Sequence, residues 1–574
     1  MRVAKIRIER FRGFESASFL LPADVVVAGE PQAGRSDFVE ALRRVLDPRS
    51  TRVRVNPLDI FRPVAANPDE LLTEVEVVLL DLGEQLEALL NDSLEAFDAA
   101  TAEPAGVNGA GEAVLGVRLC YRIRYDLDSD SGDHWVDFPA RSDPAANSFK
   151  RVSRVEREAL PVQFIDGSPA LQLRAEGALR TLLVAADSSA LDEALSQLDQ
   201  DVQSATGDFA SAAVVTEVLG NVLDAGPDVL FGIEDPSAVE FAADDGSLAA
   251  LLRALQPALA LDAAGPLPIR SHGSTIQSVF SVAEAIAAAR DADSGVVVIA
   301  DDFGDGLDAS STEYMAGLLH STAGQSILTT RRSEVVRAFK PEELVRFVRT
   351  DDGRAQYRLP ETTDKAARIT RRLVLDQLLS ALSTRVVALV EGPLDVEGYG
   401  PLAARLFKKS GERKHSLAAN GIRLVAPPGT DGGITRLPAV AEISLQLGFR
   451  VRAVVDNDKP GQEDPAVARL AELCEQLVVL PDRTAVEAAL IRGIPGEKLR
   501  DVVESLTDLG MPALPDDIDD DAIAEHLITK KILKKQGLGS AWVEALTHQP
   551  PTARAVIEAL CAGDPGRIDV PPPS

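Results

Sequence analysis

Acidic residues follow two apolar runs in the C-terminal half of the chain and are candidates for a catalytic or metal-binding site. The run Val386–Val390 leads into Glu391, with Asp395 shortly after it, and the run 451–455 leads into Asp456 and Asp458. Because parallel strands place their carboxyl ends at one sheet edge, we expect these carboxylates to lie together. Clustered oxygen ligands without histidine or cysteine suit Mg²⁺ or Mn²⁺. Two such ions can activate water for phosphodiester cleavage.

A candidate phosphate-binding loop lies near the start of the chain. The stretch 29–36 reads GEPQAGRS, which has the GxxxxGK[ST] spacing but carries Arg35 at the lysine position. A short apolar strand pattern precedes it, and apolar residues at helical spacing follow it. In that geometry, loop N–H groups between Gly29 and Gly34 can bind anionic oxygens, and Ser36 can contact magnesium. Taken alone, the octet favours an ordinary glycine-rich turn.

Later segments supply the context that this loop needs. Asp301 and Asp302 end the apolar strand pattern 295–300, where carboxylates can hold magnesium and orient water beside phosphates. A small-residue turn containing Gly273 precedes them, and Gly306-Leu307-Asp308 follows. This order resembles the split ABC-type ATPase heads of the RecF, Rad50 and SMC group. The resemblance implies that two protomers complete each other's site, and therefore a homodimer or a higher homo-oligomer.

Three positions depart from the pattern of those heads. Arg35 replaces the loop lysine, Asp302 replaces the catalytic glutamate, and Arg331 in the segment TTRRS replaces the switch histidine. Arginine keeps the charge but is planar and bulky where a compact ammonium normally lies between phosphates. We therefore expect weak or absent ATP hydrolysis, while ATP remains a candidate cofactor. The candidate nucleotide-binding residues are Gly29, Gly34, Arg35, Ser36, Gly273, Asp301, Asp302 and Arg331.

The acidic segments in the C-terminal half of the chain resemble a Toprim domain. The motif EG, Glu391-Gly392, ends one predicted strand, and the motif DxD, residues 456–458, ends a later one. A glycine turn, 429–433, lies between them. An ATPase head followed by Toprim resembles the OLD (overcoming lysogenisation defect) family of nucleases, which includes the nuclease of Gabija anti-phage defence. The resemblance implies Mg²⁺ or Mn²⁺ on Glu391, Asp395, Asp456, Asp458 and Glu487. It also implies a lysine that stabilises phosphate charge, either Lys534 or Lys535, with Lys530 and Lys531 nearby. A solvated basic helix face explains these lysines equally well.

Composition limits the partners and the compartment. The 574 residues carry a formal charge of −30, so DNA binding would need local basic clusters. The candidates are Arg49, Arg52 and Arg54, then Arg371 and Arg372, then Arg413 and Lys414. The cysteines Cys120, Cys474 and Cys561 are widely spaced, which fits a reducing cytoplasm and no disulfide framework. The N-terminus has no signal-peptide pattern, and no uninterrupted membrane span is predicted.

Strand and helix patterns alternate on both sides of a polar run near residue 365, which predicts α/β domains with mostly parallel sheets. Strands are expected near 1–30, 74–80, 116–123, 295–300 and 326–330. The predicted units are residues 1–168 and 256–370 for a split ATPase head, 169–255 for a helical insertion, 371–565 for Toprim with a C-terminal extension, and 566–574 for a disordered tail.

The function predicted from these patterns is metal-dependent DNA endonuclease activity, in anti-phage defence or DNA processing, with a helicase as a candidate partner. The alternative is a non-catalytic ATPase-like scaffold or nucleotide sensor that regulates a partner. A RecF-like repair ATPase would need Lys at position 35 and Glu at position 302, and this chain has neither. A topoisomerase or primase is disfavoured because no strand-passage tyrosine context or zinc motif accompanies the acids.

Overall fold

A computed structural model gives the fold of the chain. It describes all residues except 53, 63–69, 106–112, 127, 166–177, 225–251, 253–256, 261–264, 292–294, 352, 429–432, 458–463 and 573–574. The side chains of 70–71, 178, 181, 210, 219–224 and 535–536 are also left out. Asp458, the side chain of Lys535 and most of the predicted glycine turn therefore lie outside the described part.

The first sheet is antiparallel, with the strand order β2-β1-β4-β6-β5 and β7 paired to β6. Its strands are β1 (Arg2–Phe11), β2 (Phe14–Leu20), β4 (Glu70–Leu80), β5 (Glu95–Asp98), β6 (Ala113–Asp126) and β7 (Ser131–Asp137). The expectation of mostly parallel sheets is wrong for this part, because β1 joins β2 through a tight turn that permits only antiparallel pairing. Its apolar face, which includes Ile6 and Val77, packs against Phe38.

The second sheet carries the candidate nucleotide loop. Its strand order is β14-β13-β3-β12-β11-β8, and all pairs are parallel except the β13–β14 hairpin. The strands are β3 (Val25–Gly29), β8 (Val162–Ile165), β11 (Val297–Ala300), β12 (Gln325–Thr329), β13 (Leu344–Thr350) and β14 (Gly353–Arg358). The predicted strands before the loop and before Asp301 are confirmed, and the structure shows that each pairs in parallel with β12.

The third sheet lies in the C-terminal part and is wholly parallel, in the order β16-β15-β17-β18-β19. Its strands are β15 (Val386–Leu389), β16 (Ile422–Val425), β17 (Arg450–Val455), β18 (Gln476–Val479) and β19 (Gly566–Asp569). A separate two-stranded sheet joins β9 (Ala258–Leu259) to β10 (Leu267–Pro268). Because β15 and β17 are adjacent and parallel, the acidic residues that follow them share one sheet edge.

Helices cover both parallel sheets. They are α1 (Arg35–Leu46), α2 (Glu84–Leu89), α3 (Arg154–Glu158), α4 (Ala178–Ala210), α5 (Ala213–Asp224), α6 (Ser274–Asp291), α7 (Ala309–Thr322), α8 (Ser333–Arg337), α9 (Lys365–Leu378), α10 (Pro393–Ser410), α11 (Leu437–Gln446), α12 (Pro465–Leu473), α13 (Val486–Ile491), α14 (Gly496–Ser505), α15 (Asp520–Lys530), α16 (Ile532–Gln536), α17 (Gly539–Ala545) and α18 (Pro551–Ala562). The long helices α4 and α5 fall inside the predicted insertion. Among the described residues, none of the helices has the length and apolar character needed to cross a membrane.

Two predicted boundaries are wrong. Residues 566–569 are not part of a disordered tail, because β19 pairs in parallel with β18 and the following Val570 is buried. The backbone N–H of Val570 also donates to the carbonyl of Val479 at 2.9 Å. The boundary at residue 371 falls inside α9, because Asp364 caps that helix by accepting from the N–H groups of Ala366 and Ala367.

A buried arginine joins the second and third sheets. Arg346, in β13, is 0% exposed, and its guanidinium donates to the carbonyls of Leu382 at 3.2 Å, Leu447 at 3.0 Å and Thr384 at 2.5 Å. The same group lies 3.7 Å from the ring centre of Phe449. Burial lowers the pKa of Arg346 to about 10, so the group stays charged at neutral pH. One apolar core contains residues of both sheets, which makes this junction a packed interface.

Replacing Arg346 should weaken the whole fold. We expect Arg346→Met to lower the free energy of unfolding by about 2–4 kcal/mol, because three buried carbonyls lose their hydrogen-bond donor. The variant no longer buries a charge, which offsets part of this loss. Arg349 is exposed on the same strand, and Arg349→Ala is the matched control, expected within about 0.5 kcal/mol of wild type. Urea unfolding measures both variants. Equal stability of wild type and Arg346→Met would contradict the structural role.

Candidate functional site

The loop after β3 has the local geometry that its sequence predicts. All residues of β3 are buried, and α1 begins immediately after Gly34, which has a φ of 94°. Gly29 also has a positive φ, and a Cβ there would lie 2.2 Å from the carbonyl oxygen of Phe347. Both positions therefore require glycine. The backbone N–H of Arg349 donates to Glu30 at 2.8 Å, so β13 supports the loop from outside.

Arg35 turns back onto its own loop. Its Nη1 donates to the carbonyl of Gly29 at 2.8 Å, and its Nη2 lies 3.7 Å from Oδ1 of Asp302. The side chain is 12% exposed, and burial lowers the pKa of Arg35, while the Asp302 carboxylate partly opposes that shift. The guanidinium thus connects the loop to the acidic strand end. Ser36, the candidate magnesium-contacting hydroxyl, is exposed at the start of α1.

The two aspartates after β11 have different surroundings. Asp301 accepts a hydrogen bond from Thr329 Oγ1 at 2.6 Å, and the same hydroxyl accepts from the N–H of Asp302 at 2.8 Å. Asp302 adopts a φ of 44° and lies 3.4 Å from Arg331 Nη2 through its Oδ2. Burial, followed by the charge of Asp301, raises the pKa of Asp302. Arg331 is also paired with Asp305, a partner that sequence patterns did not indicate.

These contacts decide what the loop can do chemically. The glycine loop, the N-terminus of α1 and Ser36 fit a phosphate group. The acidic side fits magnesium-assisted hydrolysis poorly, because Asp302 lies between the guanidinium groups of Arg35 and Arg331. Two guanidinium groups beside this carboxylate repel a magnesium ion and compete for its oxygens, so Asp302 is a weak metal ligand. The residues therefore fit anion binding better than ATP hydrolysis.

Two further predicted segments pack against each other. Gly273 is exposed just before α6, and Gly306 has a φ of 87°. A Cβ on Gly306 would lie 2.8 Å from Ser278 Oγ in α6, so the turn 306–308 rests on that helix. Asp308 caps α7 by accepting from the N–H of Ser311 at 3.0 Å, and hydrogen bonds from Ser311 lower the pKa of Asp308. Asp308 therefore has a structural role in this turn.

The structure brings Glu391, Asp395 and Asp456 together at the edge of the third sheet. Glu391 Oε1 accepts from the backbone N–H of Asp456 at 2.9 Å, which links the ends of β15 and β17. Asp395 is 4% exposed, and its Oδ2 accepts from the N–H of Gly392 at 3.1 Å. The N–H of Gly433 donates to the carbonyl of Glu391 at 2.9 Å. Asp458 lies outside the described residues.

Electrostatics within this group favour a cation. Burial raises the pKa of Asp395 well above its usual range, and the Glu391 carboxylate raises it further, while Lys534 acts in the opposite direction. Closely spaced carboxylates repel one another unless a proton or a cation neutralises them. All the ligand atoms are hard oxygens, which fit Mg²⁺ or Mn²⁺. The residues present therefore fit a divalent ion.

Glu487 and the lysines occupy a neighbouring position. Glu487 is buried in α13, and its Oε1 accepts from the backbone N–H of Lys534 at 3.1 Å. Glu487 thus anchors α16, while the Lys534 side chain is exposed and acts electrostatically on Asp395. Lys530 lies in the last turn of α15, and Lys531 connects it to α16 with a φ of 52°. The Lys535 side chain is outside the described part.

Most of the predicted DNA-binding residues contact protein groups. Arg49 pairs with Asp47, Arg52 with Glu158, and Lys414 with Glu412. The remaining contacts join Arg371 to Pro360 and Glu342, Arg372 to the carbonyls of Phe339 and Arg337, and Arg413 to the carbonyl of Ala419. Arg54 is exposed. These contacts do not single out a DNA-binding face.

Sequence patterns also missed a polar group on the second sheet and a tyrosine beside the carboxylates. His320 Nε2 lies 3.0 Å from Glu343 and 3.9 Å from Asp24, and Lys340 also pairs with Glu343. Lys340 and His320 provide positive charge beside Glu343 and Asp24, so these two acids do not require a metal ion to balance their charge. Tyr399 follows Asp395 by one helical turn, a spacing that could have drawn attention to it.

Comparisons with solved structures find SMC head domains. An SMC head bound to the C-terminal winged-helix domain of ScpA is 13% identical, covers 64% of this chain and 99% of its own, and has a TM-score of 0.34. A second structure is an SMC head with an extended coiled coil, bound to the C-terminal domain of ScpA derived from Pyrococcus furiosus. It is 12% identical, covers 64% of this chain and 98% of its own, and has a TM-score of 0.34. The SMC head domain from Thermotoga maritima is 10% identical, covers 63% of this chain and 100% of its own, and has a TM-score of 0.29.

No family model and no curated protein matches the chain. TM-scores of this size carry no inference about function.

The contact between His320 and Glu343 predicts a specific pH dependence. The hydrogen bond that His320 donates to Glu343 raises the pKa of His320, while the pKa of Glu343 is lowered to about 2. A raised histidine pKa stabilises the fold at pH values below the unfolded pKa of about 6.5, and this contribution is lost as pH rises through the folded pKa. Glu343 stays ionised throughout that window. The stability difference between wild type and His320→Gln should therefore be larger at pH 6 than at pH 9.

Thermal unfolding of both proteins at the two pH values measures this difference. His548→Gln is the matched control, because His548 is exposed near the C-terminal end. The control should track wild type at both pH values. A pH-independent effect of His320→Gln would show that the histidine acts only through packing.

Proposed function

We propose that the chain is a metal-dependent DNA endonuclease of the Toprim type, with an ABC-type ATPase-like head that does not support efficient ATP hydrolysis. The observation that carries the proposal is the contact between Glu391 and the N–H of Asp456, which places carboxylates from two adjacent strand ends beside the buried Asp395. Asp458 and Glu487 complete the proposed ligand set. The chemical class is phosphodiester hydrolysis.

The proposed mechanism assigns separate tasks to the residues of the chain. Glu391 links the two strand ends, and Glu391, Asp395 and Asp456 would supply anionic oxygens to a divalent ion. When bound, that ion polarises water and neutralises phosphate charge. Lys534 carries an exposed positive charge on the same side, where it can offset charge on a phosphate oxygen. Lys535 is the second candidate for this role.

The proposed partners are DNA and at least one further copy of the chain. Dimerisation would use the turn at Gly273 and the turn 306–308, as the resemblance to ABC-type heads implies. A cytoplasmic location, a helicase partner and a role in anti-phage defence are also proposals that follow from sequence resemblance. Because the chain carries a charge of −30, we expect DNA binding to be confined to one face and to weaken steeply with salt.

A second candidate function is a non-catalytic scaffold or nucleotide sensor that regulates a partner. The observation that favours it is the position of Asp302 between Arg35 and Arg331. In that reading the internal ion pairs hold the head in one conformation without nucleotide. The two functions differ in whether purified protein cuts DNA.

Cleavage of supercoiled plasmid in Mg²⁺ or Mn²⁺ tests the nuclease directly. Glu391→Gln keeps an oxygen that can accept the Asp456 hydrogen bond but removes the charge, so we expect roughly a 100-fold loss of cleavage with little loss of stability. Asp508→Asn removes an exposed acid elsewhere in the same part of the chain and is the control. Full activity of Glu391→Gln would refute the proposed site, and no cutting by wild type would favour the scaffold.

Adding ATP to the same reactions tests the head. Because the guanidinium groups of Arg35 and Arg331 engage the acidic strand end, we expect no detectable release of inorganic phosphate and no change in the cleavage rate. A phosphate-release assay and the plasmid assay, run in parallel, measure both quantities. ATP hydrolysis that disappears in Asp301→Asn would show that the head is a working ATPase.

A further inference from the structure

Tyr399 lies beneath the carboxylate group of the third sheet. It belongs to α10, whose first turn carries Asp395, and residues four apart lie on the same helix face. Tyr399 is 0% exposed, so both its ring and its hydroxyl are excluded from solvent. The ring packs in the apolar core that contains Val390, Leu394 and Leu490. The hydroxyl is thus held in one place by a rigid helix and a packed core.

The hydroxyl of Tyr399 has no hydrogen-bond partner among the described residues. Burial raises its pKa, and the nearby charges of Asp395, Asp456 and Glu391 raise it further. Because Tyr399 and Asp395 lie one helical turn apart on α10, the buried hydroxyl is on the helix face that carries the Asp395 carboxylate. A buried polar atom without a partner costs free energy, and Phe at this position would fill nearly the same volume without that cost.

A phenol at this place offers one useful hydrogen bond. Asp395 uses its Oδ2 to accept from the N–H of Gly392, and a carboxylate has further lone pairs for a second donor. A ligand carboxylate is commonly oriented by such a second hydrogen bond, which increases metal affinity. Tyr399 can supply this donor from the buried side of α10.

We propose that Tyr399 is a positioning residue of the metal centre, and that its hydroxyl donates to the Asp395 carboxylate when a divalent cation is bound. This inference rests on the proposed metal site. It assigns Tyr399 no contact with DNA and no proton transfer. Its effect is to fix the orientation of Asp395, and therefore the affinity of the site for the cation.

Tyr399→Phe tests the inference through metal binding. Binding of Mn²⁺ alone is measured by isothermal titration calorimetry, and the rise in melting temperature with Mn²⁺ is measured on the same full-length proteins. We expect metal-free Tyr399→Phe to be at least as stable as wild type, because it removes an unpartnered hydroxyl. We expect its Mn²⁺ affinity to fall about tenfold. Its melting temperature should accordingly rise less with Mn²⁺ than that of wild type.

Tyr121→Phe is the matched control. Tyr121 is also buried, but its hydroxyl lies 2.8 Å from His134 Nδ1 in the first sheet. This variant should lose stability without metal and keep the wild-type Mn²⁺ affinity. The two tyrosine variants therefore have opposite expected patterns.

Three outcomes would overturn the inference. Equal Mn²⁺ affinity of wild type and Tyr399→Phe would show that the hydroxyl does not support the site. A clear loss of metal-free stability in Tyr399→Phe would show that the hydroxyl already has a structural partner. Absence of Mn²⁺ binding by wild type would remove the metal centre itself, and with it the proposed nuclease function, whereas the first two outcomes leave that function intact.

Discussion

The guanidinium of Arg346 is enclosed where the second and third sheets meet, and the relative placement of the two candidate sites depends on it. Its acceptors are the carbonyls of Leu382, Thr384 and Leu447, which lie just before β15 and β17. β13 also pairs with β3, so the strand that carries Arg346 is adjacent to the strand that carries the glycine loop. A bare buried charge would be costly, but three carbonyls and the ring of Phe449 satisfy it. The second and third sheets therefore share one core.

The two candidate sites have opposite electrostatic states. Beside the glycine loop, Asp302 lies between two arginines, so its charge is countered within the protein. At the third sheet, burial raises the pKa of Asp395 and the charge of Glu391 raises it further, so these acids favour a proton or a cation between them. A site that is already neutral gains little from a cation, whereas a repelling site gains much. This contrast places the expected metal chemistry in the C-terminal part of the chain.

The sequence predicts the strand ends of both sites well, because uninterrupted apolar runs followed by acids are a local pattern. The sequence shows Arg35 at the lysine position, but it does not predict the contact of Arg35 with Gly29. The direction of the Arg35 side chain depends on Asp302, which follows a strand that is distant in sequence. The buried position of Arg346 and its hydrogen bonds could not be predicted, because its acceptors lie 36, 38 and 101 residues further along the chain. β19 was missed because a short strand at a sheet edge has few apolar residues. Asp395 was predicted as a ligand, while the buried Tyr399 one turn later looks like an ordinary core residue.

The position of β3 has a consequence for how the chain is made. β3 pairs with β12 and β13, which begin at Gln325 and Leu344, so this early strand has no sheet partners until more than half of the chain has been synthesised. At translation rates of roughly 5–20 residues per second, that interval is about 15–60 s. During this time the apolar segment Val25–Gly29 is exposed to other chains and to chaperones. The glycine loop after β3 therefore gains its sheet support only after β12 and β13 are made, even though it is among the first segments to leave the ribosome.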